Sequence, residues 1–164
     1  MPEQGTIQRA QEDEREGKSP STQAGEFVRE EFHHIREGKH GARSAKQAIA
    51  IGLSKARRAG VKLRPPSSGR FSQKIRRQAE RDYEKGQRGD GRVSRRRSRA
   101  TLGALRHEGR ESGSTRAISR QVHNAARRRT SLERSGTARQ AVHTKGASGL
   151  SAAGRKAART RVSH

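Results

Sequence analysis

Cysteine and tryptophan are missing from these 164 residues, and only one tyrosine and three phenylalanines occur. Without cysteine there is no disulfide framework, no thiolate metal site and no cysteine nucleophile. So few aromatic rings argue against a stacking platform for single-stranded RNA, although duplex RNA bound by shape and charge stays open. No apolar run reaches the roughly 18 residues of a membrane helix, and the opening MPEQGTIQRAQEDEREGKS is acidic with no apolar stretch. A chain with neither signal peptide nor membrane span is expected, and its expected location is the cytoplasm.

Large aliphatic side chains are also scarce. Leu, Ile, Val and Phe make up 21 of the 164 residues, below the roughly 20% under which a highly charged chain is expected to be disordered. Lysine is absent from Ser98 to Gln140, a stretch that holds ten arginines.

What the chain has in abundance is positive charge, 39 Lys and Arg against 16 Asp and Glu, for a net charge of +23. Residues 1–40 carry nine acidic and six basic side chains, residues 41–100 four and nineteen, and residues 101–164 three and fourteen. A mildly acidic head is thus followed by a long basic body. Such a body repels itself and is relieved by a polyanion, because each neutralised phosphate releases condensed counterions. The expected partner is nucleic acid.

The expected fold class is all-α: an N-terminal helical hairpin, then amphipathic basic helices, then an extended or partly disordered Arg/Ala-rich tail. Residues 1–20 lack apolar spacing and read as a flexible arm. A first helix is expected from Ser21 or Thr22 to about Glu37, with Ala24, Val28, Phe32 and Ile35 on one face and Phe27 beside them. Ser44 with Gln47 forms a capping box, Ala45, Ile49, Gly52, Leu53 and Ala56 follow on one face, and Gly60 with Val61 marks the stop. Ala45, Ala48 and Gly52 permit close helix approach, so residues 21–66 read as an antiparallel hairpin core. Ile51 lies off the stripe and asks for a third helix or a second subunit.

Pro65 and Pro66 end the hairpin. Residues 67–86 hold a basic amphipathic helix, Ser72 to Lys85, with Phe71, Ile75, Ala79 and Tyr83 spaced by four. Residues 87–113 read as a Gly/Arg-rich linker, and residues 114–164 as an Arg/Ala-rich tail with short helices. The echoes GTARQAVHTKG and SAAGRKAARTR share a loose pattern, but composition alone would generate it and the spacing is irregular.

The densest chemical cluster is HHIREGKHGAR. His33 and Glu37 are four apart, yet there is no HExxH and the neighbouring Lys39 and Arg43 would repel a divalent cation. No metal and no cofactor are expected, and His33, His34 and His40 read as closing the first helix and joining a phosphate-facing surface. GKHGARS is not a Walker loop, since the order is wrong and no strand precedes it. Its lead into a helix N-terminus makes a backbone phosphate at Ser44 to Lys46 one candidate contact. As a helix-turn-helix the segment offers Gln47 as its one base-reading amide, so non-specific phosphate contact fits better. No carboxylate pair, triad or lysine nucleophile stands in an apolar pocket context, and Asp82 and Asp90 read as local charge compensation, so an enzyme is not expected.

Residues 19–66, in which GKHGARS is followed by KQAIAIGLSKARRAG, resemble a family of small basic bacterial proteins of unknown function. The matching positions are His34, Gly38 to Ser44, Gln47 to Leu53 and Ala56 to Gly60, and AARTR at 157–161 is similar to the basic endings of its members. The resemblance implies a bacterial cytoplasmic protein, and members are sometimes labelled DNA-binding or plasmid-stabilisation proteins.

Together these readings lead to a non-enzymatic, largely sequence-non-specific DNA-binding nucleoid or architectural protein, with DNA favoured over RNA. The expected contacts are Arg43, Ser44, Lys46, Gln47, Lys55, Arg57, Arg58, Arg76, Arg77, Arg95, Arg96, Arg97, Arg127, Arg128 and Arg129, and the hairpin offers a surface for self-association. The alternatives are an RNA- or ribosome-associated basic protein and a protein-interaction adaptor in a plasmid- or phage-related system.

Overall fold

The computed structural model describes residues 2–67, 71–89 and 94–162, and these are helical with no strand. Asp90, read above as charge compensation, lies outside the described residues. The elements are α1 (Gln4–Arg15), α2 (Pro20–Glu37), α3 (Ala45–Arg58), α4 (Gln73–Gln87), α5 (Arg95–Arg106), a 3-10 turn (Glu111–Gly113), α6 (Thr115–Arg127) and α7 (Ser131–Val162). Two compact units result, one up to Gln121 and one from Val122. None of the described helices is long and apolar enough to cross a membrane.

In the first unit, α2 and α3 form the expected hairpin. Ala24, Phe27, Phe32 and Ile35 are buried from α2, and Ala45, Ala48 and Ala56 from α3. A Cβ at Gly52 would stand 2.7 Å from Val28 Cα, so only glycine lets α3 come this close to α2. Ser44 Oγ accepts from Gln47 N at 3.2 Å while Gln47 Oε1 reaches back to Arg43 N at 2.8 Å, the reciprocal cap the sequence promised. Gly60 is left-handed (φ 97°) and Val61 N closes onto Ala56 O at 3.1 Å, which buries Val61 against Ala56. The start of α2 falls one or two residues earlier than expected. Pro20 supplies a preset φ at the first helical position, and Ser19 accepts from Thr22 N.

Residues 4–15 are not a flexible arm but a helix that packs on α2. Its buried face is small, made of Thr6 and Ala10 with Ile7 beside them, and it joins Ala24, Phe27, Ala56 and Val61 in one cluster. Arg9–Glu26 at 2.7 Å and Lys62–Glu14 at 3.1 Å tie it to its neighbours.

A third helix, α4, packs on α3. Only the later half of the Phe71–Ile75–Ala79–Tyr83 stripe is covered: Ala79 is buried and Tyr83 partly buried, while Phe71 is 43% and Ile75 48% exposed. The buried residues are Ala79 and Asp82, and a Cβ at Gly86 would lie 1.8 Å from the Arg57 carbonyl oxygen. Asp82 compensates local charge, 3.8 Å from Arg58 Nε, and is also a buried acceptor: Ser54 Oγ donates to it at 2.7 Å and Gln78 Nε2 at 3.1 Å.

The span read as a linker, 87–113, contains α5 and then returns to the hairpin turn. Gly41 N donates to Leu105 O at 2.9 Å, Ala42 N to Gly109 O at 3.1 Å, and Arg36 Nε to Gly113 O at 2.8 Å. Gly41 and Gly113 face backbone and Ile35 at distances where a Cβ would clash. Ala117 and Ile118 then cover the Phe32–Ile35 cluster. The second unit is helical, with its described side chains mostly exposed, and α7 is interrupted at Gly146 (φ 65°, ψ 172°).

Candidate nucleic-acid interface

Charge sorting inside the first unit decides which cations face outward. Glu26, Glu30, Glu31 and Asp82 are held by Arg9, Lys55 and Arg58 or by hydrogen bonds within the fold. The basic side chains of α5 and of the end of α6 are exposed.

The predicted contacts divide accordingly. Arg43, Ser44 and Lys46 are exposed and stand together at the start of α3, with Gln47 partly covered. Ser44 and Gln47 are occupied as the cap, so only their remaining valences face outward. Arg58 is exposed, 3.8 Å from Asp82. On α4, Arg77 is exposed, whereas Arg76 is partly covered and its Nε is buried with no hydrogen-bond partner. Arg95, Arg96 and Arg97 are exposed in the first turn of α5, behind the Ser94 cap. Arg127, Arg128 and Arg129 are exposed in the second unit.

Two predicted contacts are turned inward. Lys55 Nζ pairs with Glu31 and lies 3.4 Å from Glu30. Arg57 is buried, its Nε donating to Leu63 O at 3.1 Å. Burial holds its guanidinium below the ordinary arginine value, with Asp82 opposing the shift. Both residues lie on the face of α3 that meets other elements, and a basic residue near a helix end carries no local sign of that.

The histidines divide in the same way. His33 is exposed and pairs with Glu37 at 2.9 Å, as four-residue spacing allows. His34 and His40 are buried and do not join a phosphate-facing surface. His34 Nε2 lies 2.8 Å from Glu3 Oε1, and Lys39 Nζ 3.1 Å from the same oxygen. These two partners hold the Glu3 carboxyl down at about 2. Lys39 in turn is raised, chiefly by Glu37 and then by Glu3.

Sequence reading also missed Arg106 and Arg110. They line a cleft of about 330 Å³ with Gly38, His40, Gly41, Glu108 and Gly109. The long return of the chain onto the turn makes this cleft, and no local motif announces it.

Taken together, fold and surface define a strongly basic all-helical protein. Residues 17–67 match the model of a family of unknown function (DUF6496), a span that takes in α2, the turn and α3. No curated protein and no solved structure matches the chain.

Proposed function

We propose that this is a non-enzymatic, largely sequence-non-specific DNA-binding protein of nucleoid or architectural type. The observation that supports the reading is the separation of charge: buried carboxylates of the first unit take internal partners, and arginines stay exposed on α4, α5, α6 and α7. Arg43, Lys46, Arg58, Arg77, Arg95, Arg96, Arg97, Arg127, Arg128 and Arg129 carry the phosphate contacts in this reading, and Arg106 and Arg110 join them. Lys55 and Arg57 are withdrawn from the list because they serve the core, Ser44 and Gln47 because they form the cap of α3, and Arg76 because its Nε is buried. Arginine in place of lysine suits forked contacts to phosphate oxygens and entry into a narrow minor groove.

Fluorescence anisotropy against a DNA duplex of about 30 base pairs and a matched RNA duplex, at about 50 to 300 mM salt, tests it. Tighter DNA binding with a steep log–log salt slope is the expected result. Preference for the RNA duplex moves the protein to the ribosome-associated class, and salt-insensitive or absent binding to both overturns the proposal.

A further inference from the structure

We propose that Glu31, His34 and His40 form a binding site for a divalent transition-metal ion of the zinc class. All three are buried, and one ligating atom from each lies within 4.8 Å of the other two. Glu31 and His34 come from adjacent turns of α2, and His40 from the turn that leads into α3. Two imidazole nitrogens and one carboxylate oxygen are the donor set that suits zinc, cobalt, nickel or copper over calcium or magnesium.

Ring orientation supports the assignment. His40 Nδ1 lies 3.0 Å from the Gly41 carbonyl oxygen, which can only accept. Nδ1 therefore carries a hydrogen, and in the neutral ring the Nε2 lone pair turns toward Glu31 Oε2 at 3.6 Å. That oxygen is fully buried and accepts no hydrogen bond. With the ring neutral, two electron-rich atoms face one another across a gap that a cation would fill. On the other ring, Nε2 of His34 is held by the Glu3 carboxylate, which leaves Nδ1 on the side of Glu30, 4.0 Å from Oε1. A histidine fixed through one nitrogen by a carboxylate or carbonyl, with the other free, is the usual outer-shell arrangement of metal ligands.

Around the site the carboxylates of Glu3, Glu30 and Glu31 face the ammonium groups of Lys39 and Lys55, Lys39 being shared with Glu37, while Arg106, Arg110 and Glu108 line the cleft beside His40. Lys55 pairs with Glu31 Oε1 and lies 3.4 Å from Glu30, and Oε2 is the Glu31 oxygen that faces His40. Bound metal would join α2 to the turn whose next residues, Gly41 and Ala42, hold the segment 105–109. Its role is structural, and metal binding is then linked to folding.

The test uses the tag-free full-length protein after treatment with chelator. Zn²⁺ is followed by calorimetry and thermal melting, and Co²⁺ by its visible ligand-field bands. Expected are one Zn²⁺ per chain, a higher melting temperature, and tetrahedral Co²⁺ bands that Mg²⁺ does not displace. Glu3→Gln, at a position outside the core, should weaken Zn²⁺ about 10- to 100-fold with the helical circular dichroism unchanged. His40→Gln should abolish the Co²⁺ bands, and His123→Gln on α6 should leave them intact. Absence of stoichiometric Zn²⁺ binding overturns the site. So does Zn²⁺ affinity equal in wild type, Glu3→Gln and His40→Gln.

Discussion

The first unit and the second are both helical, but they are helical for different reasons. In the first, α1, α2, α3 and α4 each bury a face: Thr6 and Ala10, Phe27 and Ile35, Ala48 and Ala56, Ala79 and Asp82. In the second, Leu132 is 73% and Val142 53% exposed, and α7 has no apolar stripe to bury. Helices that bury nothing in water depend on propensity and on what covers them from outside. The contrast teaches that a protein poor in large aliphatics can fold a region if small residues let helices approach closely. Gly52, Gly86 and Ala48 do in the first unit what bulk does in richer cores.

The sharpest way to break the comparison is to hollow out one unit and leave the other. Phe27→Ala removes a wholly buried ring and should cost about 3 to 5 kcal/mol by denaturant unfolding. Leu132→Ala should change stability by less than about 0.5 kcal/mol. Equal effects would mean that the two regions are one cooperative body. Next in size, Gly41→Ala places a Cβ 1.9 Å from the Glu108 carbonyl oxygen, and we expect about 1 to 3 kcal/mol of destabilisation. Hydrogen exchange should show the loss first at Gly41 and Ala42, whose amides hold the returning segment. Ser44→Ala deletes the cap of α3 and should cost about 1 kcal/mol, whereas Ser44→Asp should retain most of it.

A smaller effect on stability but a larger one on binding is expected from Arg127, Arg128 and Arg129 changed together to Gln. Unfolding should shift by less than about 0.5 kcal/mol, while the salt slope for duplex DNA falls by up to about 3. An unchanged slope would exclude these arginines from the interface. Least of all should be Lys18→Met at the junction of α1 and α2. Lys18 pairs with Asp13 and Glu16 at 2.6 Å, and Asp13 first, then Glu16, raises its pKa above the ordinary 10.5. A raised ammonium stabilises fully below the unfolded value and loses that contribution as pH rises through the folded one. The difference in melting temperature between Lys18→Met and wild type should thus be present near neutrality and shrink above about pH 10.5.

What could be read from the residues follows how far each signal reaches along the chain. The cap at Ser44 and Gln47, the stop at Gly60 and Val61, and the close approach at Gly52 are set within a few residues or one helix pair, and each was legible. The helix Gln4–Arg15 was not, because its buried face is Thr6, Ile7 and Ala10 and its ion pairs reach Glu26 and Lys62. Nor was α5, which is fixed at its far end by Leu105 and by amides of the turn at Gly41 and Ala42. At the candidate interface, charge type was legible and direction was not: Lys55 and Arg57 look like Arg43 and Lys46 until Glu31 and Leu63 are placed beside them. His34 and His40 show the same limit, since the partners that bury them, Glu3 and Glu31, are not marked in the HHIREGKHGAR run.

The hydrogen bond from Arg36 to Gly113 spans 77 positions of chain. During synthesis at about 5 to 20 residues per second, the turn between α2 and α3 emerges roughly 4 to 15 s before the segment that covers it. For that interval the nascent chain presents Gly41, Ala42 and the Phe32–Ile35 cluster uncovered. Closure is thus a timed event on the ribosome, completed only when an arginine-rich stretch is already outside the exit tunnel.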